Sequence, residues 1–220
     1  MLTLGIDEAG RGPVIGPLVI AGVLADSNEF KELKRIGVKD SKLLTPQKRE
    51  DLFDKIISMV KDYKILIINP KEVDNFVFEN RLNELELLKF CEIINHFSPD
   101  KVIIDAPGNN IKKIEVFIRK NLIKKSVELV LEHKADLKYE IVGAASILAK
   151  VTRDRIIEEL KQKYKVNFGS GYMSDPLTQE FLSKNWNNRE FQHLFRKSWA
   201  SWQNLNTKKT QRKLSDFNKH

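Results

Sequence analysis

Four acidic residues stand where a folded chain could use them for chemistry. Asp7 and Glu8 directly follow the first apolar stretch, where the chain enters a glycine-rich turn. Asp105 closes the run Val102-Ile103-Ile104 and is followed by Ala106-Pro107-Gly108, and Asp136 lies in His133-Lys134-Ala135-Asp136, ahead of a helical pattern. In α/β sheets the crevice beyond the strand ends is the usual place for a ligand. If these segments are neighbours, three or four carboxylates converge there. Like charges oppose one another's ionisation, and a hard divalent cation removes that conflict. Mg2+ takes oxygen ligands, keeps several waters and accepts one or two carboxylates plus phosphate oxygens. Two such ions ~4 Å apart can activate a water and stabilise the leaving oxygen of a phosphoryl displacement. Taken singly, each acid reads better as an exposed turn residue or a cap. Their repetition at strand ends is what favours a site.

Gly10-Arg11-Gly12 adds a second signal, because a backbone without Cβ atoms can approach a ligand closely while Arg11 pairs with phosphate. The spacing Gly10, Gly12, Gly16 is not a dinucleotide fingerprint, and no Gly-Lys-Ser/Thr follows as in a P-loop. A tight turn between two strands is the plain alternative. Gly169-Ser170-Gly171-Tyr172 places an aromatic ring that could stack on a sugar or base, or simply pack. The histidines (His96, His133, His193, His220) have no zinc-ligand spacing, and no nucleophile elbow is present.

The elements that must position these residues alternate. Leu2–Asp7 and Leu18–Ala25 read as strands. Thr45 as N-cap with Pro46 at the first helical position starts a helix that runs to about Lys61. Tyr63–Ile68 has strand character and ends at Asn69-Pro70. Leu87, Phe90, Cys91 and Ile94 mark a buried stripe on a helix over Leu82–Phe97. A strand at Lys101–Asp105, a helix at Lys112–Asn121, a strand at Val127–Glu132 and a long helix at Tyr139–Lys163 then form a parallel α/β portion with right-handed crossovers. Helical material follows from Pro176 to Asn206 in two pieces, its Trp186, Trp199 and Trp202 expected to pack against the sheet domain.

Composition narrows the class. The 220 residues suit one large domain, and 41% apolar against 31% charged residues supports a packed core. A formal net charge of +8 favours a polyanionic partner, and the sequence pI is about 9.4. Half of that charge sits in Thr207–His220, which holds five basic residues and one acid, so the folded body is only mildly basic. The single Cys91 excludes a disulfide framework and a cysteine-rich zinc site. No apolar run reaches the ~20 residues that span a bilayer, and the N-terminus lacks the basic stretch of a signal peptide. The expectation is a cytoplasmic protein that does not enter a membrane.

Taken together, Gly5-Ile6-Asp7-Glu8-Ala9-Gly10-Arg11-Gly12-Pro13, Asp40-Ser41-Lys42, Asp105, His133-Lys134-Ala135-Asp136, Ala144-Ala145-Ser146-Ile147-Leu148-Ala149-Lys150 and Gly169-Ser170-Gly171-Tyr172 resemble ribonuclease HII, in its archaeal branch. The resemblance spans roughly residues 2 to 205, with Met173 standing where the family places proline. It implies a ribonuclease H-like α/β fold, a mixed five-stranded sheet flanked by helices with a helical C-terminal region. It also implies a catalytic domain over 1–165, a helical region over 166–206 packed beside the active-site cleft, and a flexible basic tail over 207–220.

The activity implied is endonucleolytic cleavage of the RNA strand of RNA/DNA hybrids and cutting 5′ of ribonucleotides embedded in duplex DNA, by two-metal-ion catalysis, leaving 5′-phosphate and 3′-hydroxyl ends. Asp7, Glu8, Asp105 and Asp136 match the family's catalytic carboxylates, ligands of Mg2+ or Mn2+. Gly10, Arg11 and Gly12 match the turn that senses the ribose 2′-OH, Tyr172 the ring that stacks on the junction sugar, and Lys42 a lysine near the substrate backbone. Lys150, Arg153 and Arg155 read as phosphate contacts or as solvated helix charges. The resemblance implies that this chain is a monomer.

In the tail, Gln211, Leu214 and Phe217 resemble the motif by which replication proteins dock on the sliding clamp; a basic end that only attracts nucleic acid is the alternative. Two other readings of the whole chain stay open: a non-catalytic nucleic-acid adaptor, and a related metal-dependent nuclease or resolvase acting on DNA alone.

Overall fold

The computed structural model describes residues 1–38 and 44–207, which fall into two compact units. Among the described residues, the first comprises Met1–Ala9, Val19–Ile67 and Arg81–Asp154, and the second Gly10–Leu18, Ile68–Asn80 and residues 155–207.

The first unit is built on a five-stranded sheet. Its strands are β1 (Thr3–Ala9), β2 (Leu18–Ala25), β3 (Asp62–Ile68), β4 (Lys101–Asp105) and β5 (Glu128–Glu132), in the order β3-β2-β1-β4-β5. β1 runs antiparallel to β2 and parallel to β4, which in turn pairs parallel with β5. The sheet is therefore mixed, as expected. Every residue of β2 is buried, the mark of a strand covered on both faces.

The helices are α1 (Ser27–Ile36), α2 (Pro46–Met59), α3 (Pro70–Val77), α4 (Leu82–Phe97), α5 (Ile111–Asn121), α6 (Ala135–Lys138), α7 (Glu140–Tyr164) and α8 (Pro176–Asn185). α2 begins as expected, with Thr45 accepting from the Lys48 N–H at 3.2 Å and Pro46 in the first turn. α4 occupies the interval its apolar stripe predicts, with Cys91 buried on it and its thiol pushed up to about 11 by burial. α1, α3 and α6 are additions to the sequence reading. α1 starts with a reciprocal Asp26–Glu29 capping box, and α3 with Asn69 capping Glu72 at 2.9 Å.

Two glycines fix which helix covers which face. A Cβ on Gly5 would lie 2.6 Å from the Ile141 backbone of α7, and one on Gly22 would lie 2.5 Å from Ile93 of α4. Gly22 pairs with Ile6 rather than Gly5, so alternation puts the two glycines on opposite faces. α7 therefore lies against one face of β1 and α4 against the other face of β2.

The second unit has its own core of Val14, Ile15, Ile157, Phe168, Phe181 and Phe195 with three further buried apolar residues. It contains α3, α8, a 3-10 turn at Arg189–Phe191 and a last helical stretch at residues 200–207. Trp186, Trp199 and Trp202 pack against this core. Their segment is tied to the chain around Ile15, which forms an isolated bridge with Phe195. Among the described residues, no helix is long and apolar enough to cross a membrane.

Candidate active site

In the first unit, strand register carries two of the acids to one place. Ile6 of β1 pairs with Ile104 of β4, so Asp7 and Asp105, one residue further on, emerge side by side on one face. By alternation that is the face of Gly5, and hence of α7. The third acid arrives from the chain after β5. Lys134 takes a left-handed backbone, φ 58°, and turns the chain into α6, whose second residue is Asp136. The Ala135 N–H donates to Asp105 Oδ1 at 3.3 Å, tying this turn to the end of β4. Asp7, Asp105 and Asp136 each offer a carboxylate oxygen, and these oxygens lie within 4.8 Å of one another. Asp7 and Asp136 are only 4% and 1% exposed, too buried to be turn residues facing water.

Glu8 is not among these three mutual neighbours. It is half-buried on the next position of β1, and strand alternation turns it from Asp7's face. Its N–H donates to Asp7 Oδ1 at 2.8 Å.

α7 supplies two partners the acidic pattern did not reveal. Ser146 hydrogen-bonds to the Asp7 carboxylate, and Lys150, one turn on, donates to the Ser146 hydroxyl. Burial pushes the Asp7 carboxyl from 3.8 up to about 6; the Lys150 ammonium, the Ser146 hydroxyl and the Glu8 N–H pull the other way, while the Asp105 charge adds a smaller upward push. The spacing of Ser146 and Lys150 in an otherwise apolar helix segment was the available signal, since i and i+4 share a face. Arg153 is buried rather than solvated, and Arg155 is exposed. The cluster's donors are all carboxylate oxygens, the chemistry of a hard cation. A cation there would offset the repulsion that, with burial, disfavours the ionised Asp7.

The second unit gathers Gly10, Arg11, Gly12 and Tyr172. Gly10 has φ 81°, a left-handed backbone that glycine adopts without a Cβ penalty. A Cβ on Gly12 would stand 3.6 Å from the Tyr172 ring, so the turn and the tyrosine are adjacent. The Gly171 carbonyl accepts from the Val14 and Ile15 N–H groups at 2.9 and 3.3 Å. The Gly171 N–H donates to the buried Thr178 hydroxyl at 3.0 Å. Asp175 accepts from the Ser170 and Leu177 N–H groups at 2.7 and 3.0 Å, and the first of these bonds leads in holding its carboxyl below the usual range. Met173 packs against the unit's core while its carbonyl accepts from the Gln179 side chain at 2.7 Å. Tyr172 itself keeps 37% exposure. Lys42, Gln211, Leu214 and Phe217 lie outside the described residues.

Arg196 was not anticipated. It is fully buried and donates to the carbonyls of Gly10, Arg11 and Gly16 at 2.6, 2.9 and 3.1 Å. The only sequence hint was the cationic pair Arg196-Lys197 after Leu194-Phe195.

Known proteins resemble this chain in sequence and fold. A curated ribonuclease HII from Pyrococcus horikoshii is 48% identical over 204 residues, covering 91% of each chain. A crystal structure of the ribonuclease H2 from Pyrococcus horikoshii superposes with a TM-score of 0.87 at 45% identity, over 94% of this chain and 98% of that one. A structure of the PCNA:RNase HII complex from Archaeoglobus fulgidus gives 0.76 at 40% identity, over 83% and 86%. The family model described as Ribonuclease HII matches residues 4–202; the chain belongs to the ribonuclease HII family and is a ribonuclease H.

Proposed function

We propose that this enzyme cuts the RNA strand of RNA/DNA hybrids and the 5′ side of ribonucleotides embedded in duplex DNA, leaving 5′-phosphate and 3′-hydroxyl ends. The observation that carries this reading is the convergence of Asp7, Asp105 and Asp136 within 4.8 Å. These three would hold Mg2+ or Mn2+, and Glu8, on the adjoining position of β1, is the fourth acid whose membership the Glu8→Gln variant below decides. When bound, the ions supply charge to the phosphoryl oxygens and an activated water.

The chain's own residues do the rest. Ser146 and Lys150 orient and partly neutralise Asp7. Gly10, Arg11 and Gly12 meet the ribose 2′-OH, the one group that tells RNA from DNA at a given position. Tyr172 offers its open face to the sugar of the junction, and Lys42 lies along the substrate backbone. The tail residues Gln211, Leu214 and Phe217 dock on a sliding clamp, a reading supported by the PCNA complex of the Archaeoglobus fulgidus relative. The enzyme works as a cytoplasmic monomer.

The test is a duplex with one ribonucleotide beside an all-DNA control, each incubated with Mg2+ or Mn2+. One cut 5′ of the ribonucleotide and none in the control is expected. Binding without cutting would make the protein an adaptor, and equal cutting of the control would make it a DNA nuclease. Glu8→Gln in the same assay decides whether Glu8 belongs with the three aspartates.

A further inference from the structure

Arg196 is a buried cation, and burying a guanidinium costs several kcal/mol unless its donors are met. Here they are met by backbone carbonyls of one turn. Nη2 reaches Gly10 O at 2.6 Å, Nη1 reaches Arg11 O at 2.9 Å and Nε reaches Gly16 O at 3.1 Å. The Arg196 N–H also donates to Val14 O at 2.8 Å. The guanidinium lies 4.8 Å above the Trp199 ring, and Trp199 Nε1 donates to Gly12 O at 2.9 Å. Carbonyls of every residue from Gly10 to Gly12 are thus held from one side.

That has a directional consequence. No peptide bond among the described residues is cis, and in a planar trans peptide the N–H points opposite to the C=O. Drawing the Gly10 and Arg11 carbonyls toward Arg196 turns the N–H groups of Arg11 and Gly12 the other way. The turn then presents two aligned donors on the side away from the C-terminal segment. The segment is itself pinned, because the buried Asp74 of α3 accepts from the Lys197 and Ser198 N–H groups at 2.8 and 3.0 Å and from the Ser198 hydroxyl at 2.5 Å.

We propose that Arg196, seated on Trp199, is a positioning residue that sets the enzyme's discrimination between ribose and deoxyribose by fixing the peptide planes of the Gly10-Arg11-Gly12 turn. The proposal rests on the reading of that turn as the 2′-OH sensor. Arg196 acts through the turn and touches no substrate. A lysine in its place keeps the charge but cannot span three carbonyls with a planar fork.

The experiment measures binding of the full chain to two labelled duplexes, identical except for one ribonucleotide. Ca2+ replaces Mg2+, and gels confirm that the strands stay intact. The readout is the ratio of the two Kd values. Arg196→Lys should lower the ratio roughly tenfold with all-DNA affinity unchanged. Trp199→Phe, which keeps the ring but loses the bond to Gly12 O, should lower it by about threefold and carries the test if Arg196→Lys does not fold. General loosening of the fold would weaken both duplexes together. Variants that keep the wild-type ratio, or lose both affinities in parallel, overturn the proposal while leaving the sensor reading intact. A wild type that binds both duplexes equally overturns the sensor reading itself, and this proposal with it.

Discussion

The carboxylate cluster of the first unit and the turn of the second are built on opposite principles. Around Asp7, burial and a neighbouring acid outweigh a lysine and a hydroxyl, and the carboxyl is pushed up to about 6. Around Arg196 and Asp175, the donors and carbonyls of the turn and the tyrosine loop pair closely, and Asp175 is held low. The first site is left short of positive charge, and a divalent cation would supply it. The second is satisfied in advance and therefore stiff, as a reader of small differences must be. Chemistry is left incomplete where a cofactor enters, and geometry is completed where a substrate is read.

Breaking the first site should cost most. Asp105→Asn removes a ligand while keeping shape, and should lower kcat on a single-ribonucleotide duplex on the order of a thousandfold or more. The melting temperature should hold, because one carboxylate fewer relieves repulsion. A kcat within tenfold of wild type would dissolve the contrast, since the cluster would then be structural.

The pH dependence sharpens the same point through stability. Asp7 binds a proton more tightly in the folded than in the unfolded chain, so between 3.8 and about 6 the folded state carries more protons. Stability then falls as pH rises through that window, by about 3 kcal/mol in full. Metal-free protein followed by urea denaturation should show this loss, and Asp7→Asn should abolish it. Mg2+ should stabilise the wild type more at pH 7 than at pH 4.5, because only the ionised cluster binds it. Asp175 runs the other way: its depressed carboxyl contributes stability above its unfolded range and loses it as acid protonates it. Coincident profiles in wild type and Asp7→Asn would show that the cluster carries no electrostatic strain.

The second unit answers to a different break. Asp74→Ala leaves three donors of Lys197 and Ser198 without their acceptor and should cost about 2 kcal/mol, read as a lower urea midpoint. A neutral result would mean that water replaces the carboxylate and that the segment bearing Arg196 is not pinned from α3.

Why one site was legible in the sequence and the other only in part follows from the same contrast. Acids at strand ends advertise themselves, since an apolar run that stops on Asp7 or Asp105 is visible without coordinates. Period and capping likewise gave α4, α2 and the parallel strands. The face of each acid was not visible, because it depends on β1–β4 register, and so Glu8 read as equal to Asp7. Asp136 was visible as a residue, but the left-handed Lys134 that turns it inward was not. The second unit assembles from three stretches, Gly10–Leu18, Ile68–Asn80 and the chain from Arg155, which no interval along the chain can express. Arg196 meets Gly10 across more than half the sequence, and a cation whose partners are backbone carbonyls has no complementary side chain to give it away. The three tryptophans pack as expected in kind, yet on a core whose existence the strand pattern did not announce.

The smallest effect separates two glycines that look alike in sequence. Gly10 sits at φ 81°, so Gly10→Ala should cost about 1–2 kcal/mol from backbone conformation alone. Gly12 is not among the positive-φ residues, and its added Cβ would meet the Tyr172 ring at 3.6 Å, an ordinary contact. Gly12→Ala should therefore shift stability by no more than about 0.5 kcal/mol. If its preference for the ribonucleotide duplex nevertheless collapses, the glycine is needed for what approaches the turn and not for the turn itself. If the preference survives, the sensing surface lies elsewhere on the Gly10–Arg11 peptide. The fold requires glycine at one position and the ligand at the other, and only the pair of variants read together can tell them apart.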